Sequence, residues 1–271
     1  MQQLRRRQRI CFTDRLKSGE TRTVVGSIEY SGQTKIQQIQ VLKTRQFGKM
    51  LILGNEIQLA ERDQRIYHRY LVKPGLEALK RCLERPIRSL VLGGADGYSL
   101  DLLTRDACVG TITLVDHDSE LVELFATGPL GQMFKTSDAF ADKRVSIQFH
   151  DVYDYLRRLS KPAFDFVIFD LTDDWWESNH AAKALKILAS RSRDDLVISL
   201  NAGTGGNSIE RITRSGLEIV GVWSIPIPSF GEPWWCVLAT LKGSSFLRQL
   251  GHHWLIEQYG KNRFQVRVAG K

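Results

Sequence analysis

The chain is poor in cysteine, sparing with proline and without a long apolar run, and each shortage excludes something. Its four cysteines, Cys11, Cys82, Cys108 and Cys236, form no C-x-x-C pair. They offer neither a zinc site nor a disulfide framework and read as reduced thiols, so a cytoplasmic protein is expected. The histidines do not sit at ligand spacing, so no metal is expected. No apolar stretch approaches the ~20 residues that span a bilayer, and no membrane role is expected. The basic segment Met1–Arg9 is not followed by an apolar one and does not read as a secretory signal. No repeat or low-complexity tract is present. The net charge of +8 is spread over Arg5–Arg7, Arg62–Arg69, Arg157–Arg158 and Arg191–Arg214. They form no aromatic-interleaved basic stripe, so they read as a solvated surface, and a nucleic-acid partner is not expected.

What the sequence does have is a pattern of strands and helices organised around Leu90–Gly97, Leu-Val-Leu-Gly-Gly-Ala-Asp-Gly. An apolar run breaking into glycines and then a helix is the first strand, turn and helix of a nucleotide-binding α/β domain. The 271 residues suit one large domain with a smaller appendage. The expected division is 1–60, an N-terminal β-hairpin domain; 61–243, the main domain; and 244–271, an extension with a helix near Phe246–Tyr259. In the first, strands begin at Thr21, turn at Ser31-Gly32, run again over Ile36–Leu42 and resume at Met50–Leu53. A helix with one apolar face is expected over Gln58–Lys73, broken or kinked at Pro74, with another over Leu76–Leu83. Later strands are expected at Ser89–Leu92, Thr111–Val115, Val145–Phe149, Phe164–Phe169 and Leu196–Leu200. Helices alternate with them at Tyr98–Arg105, Ser119–Ala126, Val152–Leu159 and His180–Ser190. Short, almost wholly apolar strands alternating with helices imply a parallel sheet. Glu218–Ile225 and Trp234–Leu241, joined by a Pro-rich turn, add an antiparallel pair at one edge. The expected fold is α/β: a class I methyltransferase-like (Rossmann-like) seven-stranded sheet with a small N-terminal antiparallel β domain.

Ligands bind such sheets at the carboxyl ends of the strands. Asp96 follows the first strand, Asp116 and Asp118 the second, Asp151 the third, and Asp170 and Asp173 the fourth. Asp116 lies 23 residues after Gly93, near the ~20-residue spacing at which a carboxylate reaches ribose hydroxyls. Asp151, Asp170 and Asp173 could each instead cap a following helix, and Asp116 could sit in the N-cap region of its own. Together, at four successive strand ends, they point to a ligand. An adenosine uses about two such carboxylates, one on the ribose and one on the adenine amine. Asp96, Asp170 and Asp173 remain, and a cluster of like charges needs a cation. An organic polycation fits, with Tyr67, Trp175, Trp176, Trp234 and Trp235 available to line its path.

These motifs, in this order over roughly Thr34–Leu241, resemble the spermidine synthase (polyamine aminopropyltransferase) family. Ile57-Gln58-Leu59-Ala60-Glu61-Arg62-Asp63 with Tyr67-His68 is similar to its interdomain segment. Gly93-Gly94-Ala95-Asp96-Gly97 resembles its glycine turn, Asp116-His117-Asp118 its acidic motif, and Asp151 its adenine-contacting Asp. Asp170-Leu171-Thr172-Asp173 is similar to its catalytic motif, and Pro228-Ser229-Phe230-Gly231 with Trp234 to its late Pro-Ser-Gly-Trp motif. The resemblance implies transfer of the aminopropyl group of decarboxylated S-adenosylmethionine to a diamine such as putrescine, with no cofactor beyond that co-substrate. It implies Asp170 and Tyr67 as catalytic residues, and Gln58, His68, Gly93, Asp96, Asp116 and Asp151 as donor-binding residues. It implies Asp173 and Trp234 as amine-binding residues, and a homodimer or higher homo-oligomer. Asp174-Trp175-Trp176-Glu177-Ser178 stands where the family has a Gly-Pro-Ala-rich lid, so a reshaped amine pocket is expected. An S-adenosylmethionine-dependent methyltransferase and a noncatalytic polyamine- or nucleic-acid-binding homologue are the alternatives.

Overall fold

The structure, a computed structural model, describes residues 9–16, 18–159, 164–172, 175–176, 178–191, 195–203 and 207–244. The expected helix near Phe246–Tyr259 lies outside them. The chain divides into two units: the described residues up to Tyr67 with Pro226–Pro233, and those of His68–Ile225 with the residues from Trp234 onward.

The first unit is a five-stranded antiparallel meander in chain order. Its strands are β1 (Arg9–Arg15), β2 (Thr21–Gln33), β3 (Gln38–Thr44), β4 (Gly48–Leu53) and β5 (Glu56–Ala60). Ile39, Val41, Leu42, Met50, Leu51 and Ile52 are buried, as an apolar β3–β4 centre requires. β1 pairs with β2 from Arg9↔Ser27 to Arg15↔Thr21. Two expectations are corrected here. Ser31-Gly32 is not a turn but pairs with Gln40 and Ile39. The chain reverses at 34–37 instead, where the Thr34 hydroxyl accepts from the Ile36 and Gln37 N–H groups. That side chain supplies the turn contacts that a glycine was expected to supply. Finally, Gln58 lies on β5, not in a helix, because β4 offers β5 a pairing partner at Leu51↔Leu59. Residues 226–233 are tied into this unit by Asp63, a buried carboxylate that accepts from the Ser229 N–H at 2.7 Å and its hydroxyl at 2.8 Å. Arg22 adds donors to the Pro228 and Ser229 carbonyls.

The second unit holds a seven-stranded sheet in the order β11-β12-β10-β9-β6-β7-β8. These are β6 (Ile87–Gly93), β7 (Val109–Asp116), β8 (Val145–Phe149), β9 (Phe166–Asp170), β10 (Val197–Asn201), β11 (Leu217–Pro226) and β12 (Pro233–Leu241). From β6 the sheet grows in parallel both ways, to β7 and β8 and to β9 and β10. β12 then adds to β10 antiparallel. The order reverses between β6 and β9, which opens the crevice where such sheets bind ligands.

Helix α1 (Gln64–Cys82) runs unbroken through Pro74, against expectation. Burial of Leu71, Val72, Leu76, Ala78 and Leu79 outweighs the N–H that proline cannot donate. Gly75 permits the packing, since a Cβ there would come 2.4 Å from the Phe166 ring. Next come α2 (Tyr98–Thr104), α3 (Ser119–Ala126), α6 (Val152–Arg158) and α7 (Asn179–Arg191), all expected within a residue or so. Two short helices, α4 (Pro129–Phe134) and α5 (Ser137–Phe140), and α8 (Asn207–Arg214) were not legible. At the far end of the sheet, fully buried Asp165 accepts from Arg85 and Arg88 at 2.7–3.1 Å. Burial raises its carboxyl pKa, but the two guanidinium groups outweigh that and hold it well below the usual carboxylate range. Asp165 immediately precedes β9 and Arg88 lies on β6, so the network fixes the register that brings Gly93 opposite Asp170.

Candidate active site

The end of β6 is shaped by close approach. Gly93 and Gly94 take φ values of 77° and 76°, and a Cβ on Gly93 would lie 2.2 Å from the Asp170 carbonyl oxygen. Only glycine lets the two strand ends meet this way. The turn then folds Asp96 back, its Oδ1 accepting from the Tyr98 N–H at 2.9 Å. Asp170, the last residue of β9, accepts at Oδ2 from the Ser99 hydroxyl at 3.0 Å. Into this corner projects His68 from α1. It is 2% exposed, with Nε2 3.6 Å from Asp96 Oδ2 and 3.6 Å from Asp170 Oδ2. Burial opposes charge on the imidazole, but the charge of Asp96 and the contacts of both carboxylates outweigh it and raise its pKa to about 10. The Tyr98 ring closes one side of it at 5.2 Å. Below, the buried Cys236 thiol on β12 is pushed upward by burial and by the Asp170 charge, and stays neutral.

His68, Asp96 and Asp170 are the one described set of His, Cys, Asp and Glu side chains whose ligand atoms all lie within 4.8 Å of one another. Two carboxylates around a histidine make a strongly anionic corner, which suits a cationic group such as an organic ammonium or a metal ion.

Neighbouring strand ends carry the remaining acids. Asp116 ends β7 and accepts from the Asp118 N–H at 2.9 Å. Burial raises its pKa to about 6, against the opposing pull of that N–H and of His117. Asp118 caps α3 through the Leu121 N–H at 3.0 Å. Asp151 caps α6 through the Asp154 N–H at 3.0 Å, so the capping reading holds for its Oδ1, while the residue remains exposed at the rim. The structure therefore brings His68, Gly93, Asp96 and Asp170 together, with Asp116 at the end of β7 and Asp151 between β8 and α6. Gln58 and Tyr67 belong to the first unit, where Tyr67 meets Phe230 edge-on at 6.2 Å. Asp173 lies outside the described residues.

Trp234 is held by its indole N–H, which donates to Asn201 Oδ1. Asn201, at the end of β10, also donates from Nδ2 to the Leu171 carbonyl at 2.9 Å. It thus ties Trp234 to the residue after Asp170. Trp175 and Trp176 meet edge-on at 5.1 Å and both pack on Phe169. Trp176 is 3% exposed, which makes it a core residue and removes it from the aromatics expected to line a ligand path. Ser99 and Asn201 escaped sequence reasoning. The one signal available for Ser99 was its place three residues after Asp96, one helical turn from the acid.

The family model described as spermine/spermidine synthase domain matches residues 64–239. The one described as spermidine synthase tetramerisation domain matches residues 21–61. Polyamine aminopropyltransferase 1 of Hyperthermus butylicus is 31% identical over 76% of this chain and 72% of its own length. Polyamine aminopropyltransferase of Pyrobaculum aerophilum is 30% identical, with 83% and 80% covered. In fold, the chain is similar to a crystal structure of spermidine synthase from Thermotoga maritima, with a TM-score of 0.76 at 19% identity over 99% of this chain and 90% of that one. A spermidine synthase solved with the transition-state analogue AdoDATO gives the same score and identity. With a glycine turn, a carboxylate at or just after the ends of β6, β7, β8 and β9 and a match over most of its length, the chain belongs to the spermine/spermidine synthase family.

Proposed function

We propose that this protein is a polyamine aminopropyltransferase. It moves the aminopropyl group of decarboxylated S-adenosylmethionine onto a primary amine of a diamine such as putrescine, releasing methylthioadenosine. The observation that carries this reading is the corner of Asp96, Asp170 and buried His68 at the switch point of the sheet. A pair of carboxylates there suits a positively charged aminopropyl arm and repels the carboxylate that S-adenosylmethionine itself carries, which disfavours the methyltransferase alternative. In this reading Asp116 accepts from the ribose hydroxyls and Asp151 from the adenine amine. Gly93 lets the backbone approach, and Asp96, His68 and Gln58 address the donor's amine. The sulfonium is already an activated leaving group, so the barrier lies with the nucleophile. An alkylammonium has a pKa of ~10.4 and attacks only when neutral. Asp170 takes that proton as the nitrogen attacks, assisted by the Tyr67 hydroxyl, while Asp173 and Trp234 hold the far end of the amine. Residues 61–243 form the catalytic region, and residues 1–60 join copies into a homodimer or higher oligomer in the cytoplasm.

The test is incubation with decarboxylated S-adenosylmethionine and putrescine, cadaverine, agmatine or spermidine in turn, with detection of methylthioadenosine. Its appearance with at least one amine is expected. Methylation by S-adenosylmethionine without aminopropyl transfer to any amine would overturn the reading.

A further inference from the structure

We propose that His68 is the resident cation of the Asp96–Asp170 pair, and that an amine-bearing ligand enters by exchange. The ligand's ammonium group takes the place between the carboxylates, and the imidazole releases its proton to solvent. The geometry carries the inference. A histidine that is 2% exposed has no water to hydrate a charge, yet its Nε2 lies 3.6 Å from each of two carboxylate oxygens. Asp96 is held at its other oxygen by the Tyr98 N–H, and the Asp170 oxygen that faces His68 also accepts from the Ser99 hydroxyl, so both carboxylates are anchored. Two acids held together around a buried imidazole form a site already filled by a cation.

Among the described residues, the groups that act on the charge of His68 are anionic or neutral. Asp96 comes from the turn after β6, Asp170 from β9, and the neutral Cys236 thiol lies beside Asp170 on β12. Tyr98 on α2 presents its ring and sends its hydroxyl to the Phe134 carbonyl. With the imidazole protonated, the three groups sum to one negative charge. An added ammonium would contend with the imidazolium for the same two carboxylate oxygens, and the repulsion between two cations at that range is relieved when the imidazole gives up its proton. The N–H bond of the imidazolium breaks, its electrons stay on the ring, and the proton goes to the buffer. The consequence is selectivity: a ligand without an amine gains nothing from this corner, because His68 already fills it.

The choice of ligand rests on the donor proposed above. Calorimetric titration at pH 8 in two buffers of different ionisation enthalpy counts protons. Decarboxylated S-adenosylmethionine should release about one proton per site and methylthioadenosine none. His68→Gln should abolish the difference. Histidine-detected NMR of the unaltered protein reads the same event directly, so the proposal stays testable if that variant fails to fold. The His68 signal should be charged in the free protein and neutral with the donor bound. Equal proton counts for the two ligands, or a His68 signal charged in both states, would overturn the exchange. Absence of turnover with every amine would instead sink the proposed reaction while leaving the proton count intact.

Discussion

Replacing Asp170 with Asn keeps the side chain's shape and its place beside Ser99 while removing the base. Turnover of the Asp170→Asn variant is expected to fall by about 10²–10⁴-fold with methylthioadenosine affinity almost unchanged; a fully active variant would refute the role. Asp116 makes a second prediction at this scale. Its folded pKa of about 6 stands above the ordinary 3.8, so the neutral carboxyl favours folding at low pH and that contribution is lost as pH rises through 6. Ribose hydroxyls are held best by the ionised form. Methylthioadenosine affinity measured by calorimetry should therefore weaken below pH 6, by up to about tenfold per unit, and a flat profile between pH 5 and 8 would remove Asp116 from the site. At this scale the acids were legible because strand ends can be counted along the sequence. Ser99 and Asn201 were not. A serine in a helix and an asparagine ending a strand are ordinary alone, and their partners lie 71 and 30 residues away.

Elements were legible where apolar periodicity was strong. The parallel strands and the helices between them satisfy burial on both faces, which leaves a nearly continuous apolar signature. The misreadings fell where a long-range contact overrules a local preference. α1 passes through Pro74 because its apolar face is buried, and Ser31-Gly32 stays within β2 because β3 pairs with it. Two strand-level predictions follow from the fixed ends of β6 and β9. Gly93→Ala should destabilise the second unit by at least about 2 kcal/mol in denaturant titration, since the new methyl meets a backbone carbonyl in a left-handed conformation. Asp165→Ala should cost about 1–3 kcal/mol, because it removes the buried anion shared by Arg85 and Arg88 and leaves Arg85 with Asp195 alone.

For the whole molecule, His68 couples stability to pH. Its folded pKa of about 10 lies above the ordinary 6.5, so its stabilisation is complete below pH 6.5 and is lost as pH rises toward 10. Unfolding free energy measured across that window should fall for the native protein and stay flatter for His68→Gln. Identical slopes would show that the corner does not hold its charge. The division of the chain has a different consequence, in time rather than energy. Asp63 is buried and receives both its Ser229 donors from 166 residues further on, within a segment that groups with the first unit. During synthesis the N-terminal sheet is made first, yet the ribosome must pass Ser229 before that carboxylate meets these donors. The first unit to emerge thus stays incomplete until most of the second has been made, and a nascent chain halted before residue 229 should remain open to protease near Asp63.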